Sequence, residues 1–177
     1  MAATALTGLA VRLLDDFLDE PELPSGWLAP LVARAGRGVI AYALLFLALG
    51  AACNLEWTVT LFLSAYAIGM GHEGQRLLPS GLAAWGECAL ALAVGVVRFG
   101  LLSLAASFTA VLFVQLLDDL VDVEEDKERG RSNWALRWGS VESALVAVLA
   151  ALLSWELCWQ RFLLVAGAGL VLAHRGR

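Results

Sequence analysis

Read for the alternation of apolar and polar positions, the chain divides into long uncharged stretches separated by short polar breaks. Residues 2–14 are apolar and suit a helix that ends at Asp15. "EPELPSG" (20–26) is a loop, because two prolines and a Ser-Gly pair stop a helix. A second helix begins in 27–38, which carries Arg34 and Arg37, and leads into the uncharged "VIAYALLFLALGAAC" (39–53). "NLEW" (54–57) is a turn, "TVTLFLSAYAIGMG" (58–71) is uncharged again, and "HEGQRLLPSG" (72–81) is a polar loop. "LAAWGECALALAVGVV" (82–97) holds one acid, Glu87, and a turn follows at Arg98 and Gly100. Residues 101–117 run uncharged into a charged helix end and loop, 118–139. Two more apolar segments, 143–155 and 162–173, are split by Glu156 and Arg161.

These stretches are apolar all round rather than striped, which is the pattern of helices surrounded by hydrocarbon or by other helices on every side. A bilayer span needs about 20 mainly apolar residues. Only 39–55 and 99–117 approach this with no charge; the others include one near an end or stay short. The expectation is an all-α, multi-pass transmembrane bundle of seven helices, forming one domain over 1–177. Composition strengthens it: 60% of residues are hydrophobic and 16% charged, against about 45–50% and 25% in soluble domains. Mean hydropathy is +0.75. A soluble all-α core would have to cover about six such segments with little polar surface material.

Charge is concentrated. The net charge of −5 comes mostly from two acidic stretches, "RLLDDFLDE" (12–20) and "QLLDDLVDVEEDKERGR" (115–131). Away from them the chain is neutral or basic, so no nucleic-acid partner is expected. Four crossings separate the two stretches, which places both on one side together with Arg12, Arg76, Lys127, Arg129, Arg131, Arg137, Arg175 and Arg177. The other side has little beyond Arg98 and Arg161, so the motif side is expected to be cytoplasmic.

Residues three and four apart share a helix face, which groups Asp15, Asp16 and Asp19, and likewise Asp118, Asp119 and Asp122, with Asp126 one turn on. Like charges at this spacing oppose the helix by about 0.2–0.5 kcal/mol per pair. Both groups also sit at helix C-termini, the negative end of the dipole. A counter-charge relieves both terms. Hard divalent ions such as Mg²⁺ take carboxylate oxygens and substrate phosphates together. Two facing clusters would bridge a diphosphate and stabilise it as a leaving group, with an apolar bundle beneath for a hydrocarbon tail.

At these residues the chain resembles the UbiA superfamily of intramembrane prenyltransferases. "RLLDDFLDEPELPSG" is similar to that family's first motif, Arg-x-x-Asn-Asp-x-x-Asp with its "LPSG" loop, although Asp15 stands where Asn is common. "DDLVDVEEDKERGRSNWALRWG" is similar to Asp-x-x-Asp-x-x-x-Asp-x-x-x-Gly with a later Gly, matched by Asp119, Asp122, Asp126, Gly130 and Gly139. Asp118 replaces the Lys that often precedes the second motif. The resemblance implies Mg²⁺ held by Asp16 and Asp19 at one site and by Asp119, Asp122 and Asp126 at the other, with Asp15 and Asp118 as extra ligands or acceptors. It implies Arg12, Lys127 and Arg131 on the diphosphate. The implied reaction is transfer of a prenyl group from a polyprenyl diphosphate to an aromatic or other lipid-soluble acceptor in the membrane. A terpene cyclase of the same family, and a non-catalytic remnant that binds lipid diphosphate or packs with other membrane proteins, are the alternatives. Against the family's roughly nine helices the bundle is reduced, which favours closure as a homo-oligomer.

Smaller features carry less. The seven tryptophans mostly flank helix ends, as interfacial anchors do; Trp134 and Trp138 are the two placed to meet a carbocation. Tyr42 and Tyr66 read as packing or cavity-lining residues, and His72 as a solvated loop residue. Cys53, Cys88 and Cys158 read as packing cysteines. "AGAGL" (166–170) predicts close helix packing.

Overall fold

The computed structural model describes residues 1–19, 34–71, 74–130 and 133–174; within these, nothing is described for the side chains of Asp16, Leu18, Asp19, Arg37, Arg129 and residues 172–174. Among the described residues the chain is all-helical and has no strand. The helices are α1 (Ala2–Asp19), α2 (Val39–Cys53), α3 (Leu55–Gly71), α4 (Ala84–Phe99), α5 (Leu101–Val121), α6 (Val123–Arg129), α7 (Trp134–Trp138) and α8 (Ser140–His174). A 3₁₀ turn, Gly36–Gly38, leads into α2.

The breaks are sharper than the polar patterning suggests. Between α2 and α3 only Asn54 leaves the helix, and its side-chain oxygen accepts from the Trp57 N–H at 2.9 Å. "NLEW" is therefore one capping residue and the start of the next helix, since Asn satisfies an otherwise unpaired first-turn donor. As a result α2 stops at 15 residues, about 22 Å, shorter than the 39–55 span expected. Gly100 separates α4 from α5 in the same single-residue way. α1 continues past Asp15 to Asp19, so the first acidic group lies within a helix.

The 35 residues of α8 are helical except at Cys158, which is extended (φ −164°, ψ 83°). Contacts on either side show that the chain reverses there. The arm starts beside α7, whose Trp134 N–H reaches Asp119 near the end of α5, and by Ser154 it has reached Ala106, whose carbonyl accepts the Ser154 hydroxyl at 3.3 Å. Beyond the break Val165 packs with Ala110, and a Cβ on Gly169 would lie 2.6 Å from Val114. The first arm thus descends α5 and the second climbs it. The two segments expected at 143–155 and 162–173 are a helical hairpin, of about 27 and 24 Å per arm, turning at Cys158 between Glu156 and Arg161.

The other helices alternate in the same way. α1 and α2 are antiparallel: Ala3 lies near Gly50, and Ala10 and Leu13 pack with Val39 and Ala43. α3 and α4 are antiparallel, with Tyr66 against Glu87 and Leu63 against the Gly95 position. α3 and α5 are parallel, with Glu56 to Ser103 and Thr60 to Ser107 (2.8 Å). The core is built from small residues, among them Ala10, Ala43, Ala110, Ser64 and Ser107, each 0% exposed. Small residues let helices approach closely where no hydrophobic effect drives their association.

Leu101–Val121 is long and apolar enough to cross a membrane, as is Ser140–Val171 when taken across its turn at Cys158. Only 28% and 22% of their most apolar windows are buried, the reverse of a soluble core helix. The outward face of the first arm of α8 carries Val141, Leu145, Val148, Leu149 and Leu152.

Candidate functional site

The second acidic stretch begins inside α5 and outlasts it. α5 ends at Val121, and Asp122 (φ −99°, ψ 13°) is the joint to α6. Asp126 follows Asp122 by one turn, as the i, i+4 spacing suggests, its N–H donating to the Asp122 carbonyl at 2.9 Å, but it lies on α6, beyond the bend at Asp122. α6 closes at Gly130 in the left-handed region (φ 67°), and α7 at Gly139 (φ 107°). Both glycines of the second motif thus occupy positions where other residues are strained.

Within this segment the carboxylates have different surroundings. Asp119 is buried; its Oδ1 accepts from Gln115 Nε2 at 2.9 Å and its Oδ2 from the Trp134 N–H at 2.8 Å. Asp126 Oδ2 accepts from Asn133 Nδ2 at 2.8 Å, and the same amide donates to the Asp119 carbonyl at 2.8 Å. Asn133 Oδ1 accepts from the Leu136 N–H at 3.1 Å and so caps α7. Asp118, partly buried, lies within electrostatic range of Asp122, Arg12, Asp119 and Asp126. Arg12 belongs to the first acidic stretch, so the C-terminal ends of α1 and α5 lie at the same end of the bundle.

Of the residues expected at the site, Arg12, Asp118, Asp119, Asp122 and Asp126 come together here. Asp15 is exposed near the end of α1, and Lys127 is exposed on α6. Asp16 and Asp19 have described backbone only, and Arg131, His72 and the first "LPSG" loop lie outside the described residues. The donors fit a hard divalent ion in type: they are carboxylate oxygens, each carboxylate having about four acceptor sites, and Asp119, Asp122, Asp126 and Arg12 all lie within electrostatic range of Asp118. As they stand, no three Asp, Glu, His or Cys side chains among the described residues converge closely enough to hold an ion.

Reading the sequence for acids overlooks Gln115 and Asn133, the neutral residues that orient them. Asn133 was legible as a helix cap before "WALRW"; Gln115, one turn before Asp119, was legible as an i, i+4 partner. Trp134 and Trp138 pack against each other with their rings tilted by 54°, 4.2 Å between ring centroids. Also overlooked is the join at the far end of the bundle, where Glu56 and Arg161 meet across 105 residues (3.3 Å).

The second "LPSG" loop folds back near the C-terminal end of α3. Leu77 bridges Ala83, and Glu87 accepts from both the Ser80 hydroxyl and the Tyr66 phenol. This pairing accounts for the one acid of α4 and shows Tyr66 to be more than a packing residue.

No family model, no curated protein and no solved structure matches the chain.

Proposed function

We propose that the protein is a Mg²⁺-dependent prenyltransferase of the UbiA kind, embedded in the membrane with its acidic end on the cytoplasmic side. It would transfer a prenyl group from a polyprenyl diphosphate to an aromatic or other lipid-soluble acceptor. The observation that carries this reading is that Arg12 lies within electrostatic range of Asp118, with the two acidic stretches at the same end of an apolar bundle. Further support comes from their resemblance to the paired motifs of that family and from the exposed apolar surfaces of α2, α4 and α8.

In this reading Asp16, Asp19, Asp119, Asp122 and Asp126 hold Mg²⁺, with Asp15 and Asp118 beside them. Bound Mg²⁺ supplies charge neutralisation for the departing diphosphate. Arg12 and Lys127, with Arg131, bind phosphate oxygens, and the small-residue bundle below accepts the hydrocarbon chain.

The test is purified protein in detergent with Mg²⁺ and radiolabelled geranylgeranyl diphosphate. Mg²⁺-dependent diphosphate release that requires an added aromatic acceptor is the expected result. Release without an acceptor would make the protein a cyclase. Absence of both Mg²⁺-dependent binding and release would overturn every enzymatic reading.

A further inference from the structure

α6, "VEEDKER", is seven residues long, and none of its described side chains is buried. A helix of this length does not hold itself in water, and no apolar face ties this one to the bundle. Its acids also repel the end of α5, since Asp126 lies within electrostatic range of Asp118. These forces work against holding α6 beside the end of α5.

We infer that Asn133 is the positioning residue that keeps Asp126 within the acidic cluster against this repulsion. The residue is 4% exposed, and its side chain joins three elements: the Asp119 carbonyl of α5, the Asp126 carboxylate of α6 and the Leu136 N–H of α7. An amide is suited to this place because it donates twice and accepts once. A carboxylate there would repel Asp126, and a hydroxyl could cap α7 without reaching both donor targets. Asn133 also anchors Asp126 without adding charge, so the cluster keeps its attraction for a cation. Only the metal part of this inference rests on the function proposed above.

Asn133→Ser separates the two roles of the residue, because Ser is a good helix cap but lacks the amide donors; Asn133→Ala removes both. In hydrogen exchange on the full-length protein, amides of residues 123–130 should exchange about tenfold faster in both variants. Those of 134–138 should speed up only in Asn133→Ala. Unchanged exchange at 123–130 in Asn133→Ser overturns the inference, whatever the metal result. With Mn²⁺ as probe ion, followed by its paramagnetic resonance signal, Asn133→Ser should bind about tenfold more weakly than the wild type. Equal affinity in the two proteins overturns the positioning role. A wild type that binds no Mn²⁺ at millimolar concentration counts against the proposed function, and the exchange result then decides the inference alone.

Discussion

Arg161 is 3% exposed at the start of the second arm of α8, and its surroundings explain how it is tolerated. One terminal nitrogen donates to the Ser103 carbonyl (2.6 Å), the Ser103 hydroxyl (3.1 Å) and the Ser107 hydroxyl (2.8 Å). The other reaches Glu56 at 3.3 Å, and the Trp57 ring lies 4.9 Å from the guanidinium. The two partners are not equivalent, because the Glu56 side chain is 49% exposed. Removing Glu56 strands a buried cation, whereas removing Arg161 leaves an acid that solvent can reach. Glu56→Ala should therefore cost about 2 kcal/mol, below the 3–5 typical of a fully buried pair, and Arg161→Met about 1 kcal/mol or less. Unfolding in mild detergent measures both, and a larger loss in Arg161→Met would refute this asymmetry. At the same scale, Asp119 combines burial with two neutral donors, so Asp119→Ala leaves Gln115 and the Trp134 N–H without their acceptor. The variant should lose about 1–3 kcal/mol of stability as well as any Mg²⁺-dependent diphosphate release. Wild-type stability in Asp119→Ala would show that the brace is dispensable.

At the scale of elements, the hairpin of α8 is held by close approach to α5. The glycines of "AGAGL" are unequal: a Cβ on Gly169 would meet Val114 at 2.6 Å and 3.0 Å, and one on Gly167 meets nothing within 4 Å. Gly169→Ala should destabilise by about 1–3 kcal/mol through overpacking against a stiff β-branched side chain. Gly167→Ala should be neutral or stabilise by up to about 1 kcal/mol, as expected for Ala in place of Gly within a helix. Equal effects of the two substitutions on thermal unfolding would contradict the register that defines the second arm. The run was legible in the sequence as a packing motif, but which of its glycines packs was not, because the choice depends on how the chain turns at Cys158. No glycine or proline marks that turn; an extended residue between two tryptophan-flanked arms makes it.

For the whole molecule, alternation of helix direction separates two ends. The acidic end gathers the ends of α1 and α5 with α6 and α7; the far end holds Cys53, Cys158 and the Glu56–Arg161 pair. If the exposed apolar belt of α2, α4 and α8 lies in a bilayer, these ends face opposite compartments. In a protein whose other cysteines are replaced, Cys158 and a cysteine introduced as Glu128→Cys should react with an impermeant maleimide from opposite sides of sealed vesicles. Reaction of both from one side would refute the hairpin as a pair of crossings. The protein should also remain with the membrane pellet after carbonate washing.

The sequence by itself determined the helical class, the apolar exterior, the approximate helix ends and the two acidic stretches. These follow from local properties: runs of apolar residues, capping side chains, and charges that are costly wherever they lack a counter-charge. Tertiary structure alone decided which charges meet and which neutral residues orient them. Arg12 with Asp118, Glu56 with Arg161, and Asn133 between Asp119 and Asp126 depend on helix register and on the bends at Asp122 and Cys158. The physical reason is that a residue's spacing along one helix specifies its face, while its partner across the bundle is set by how several helices pack at once.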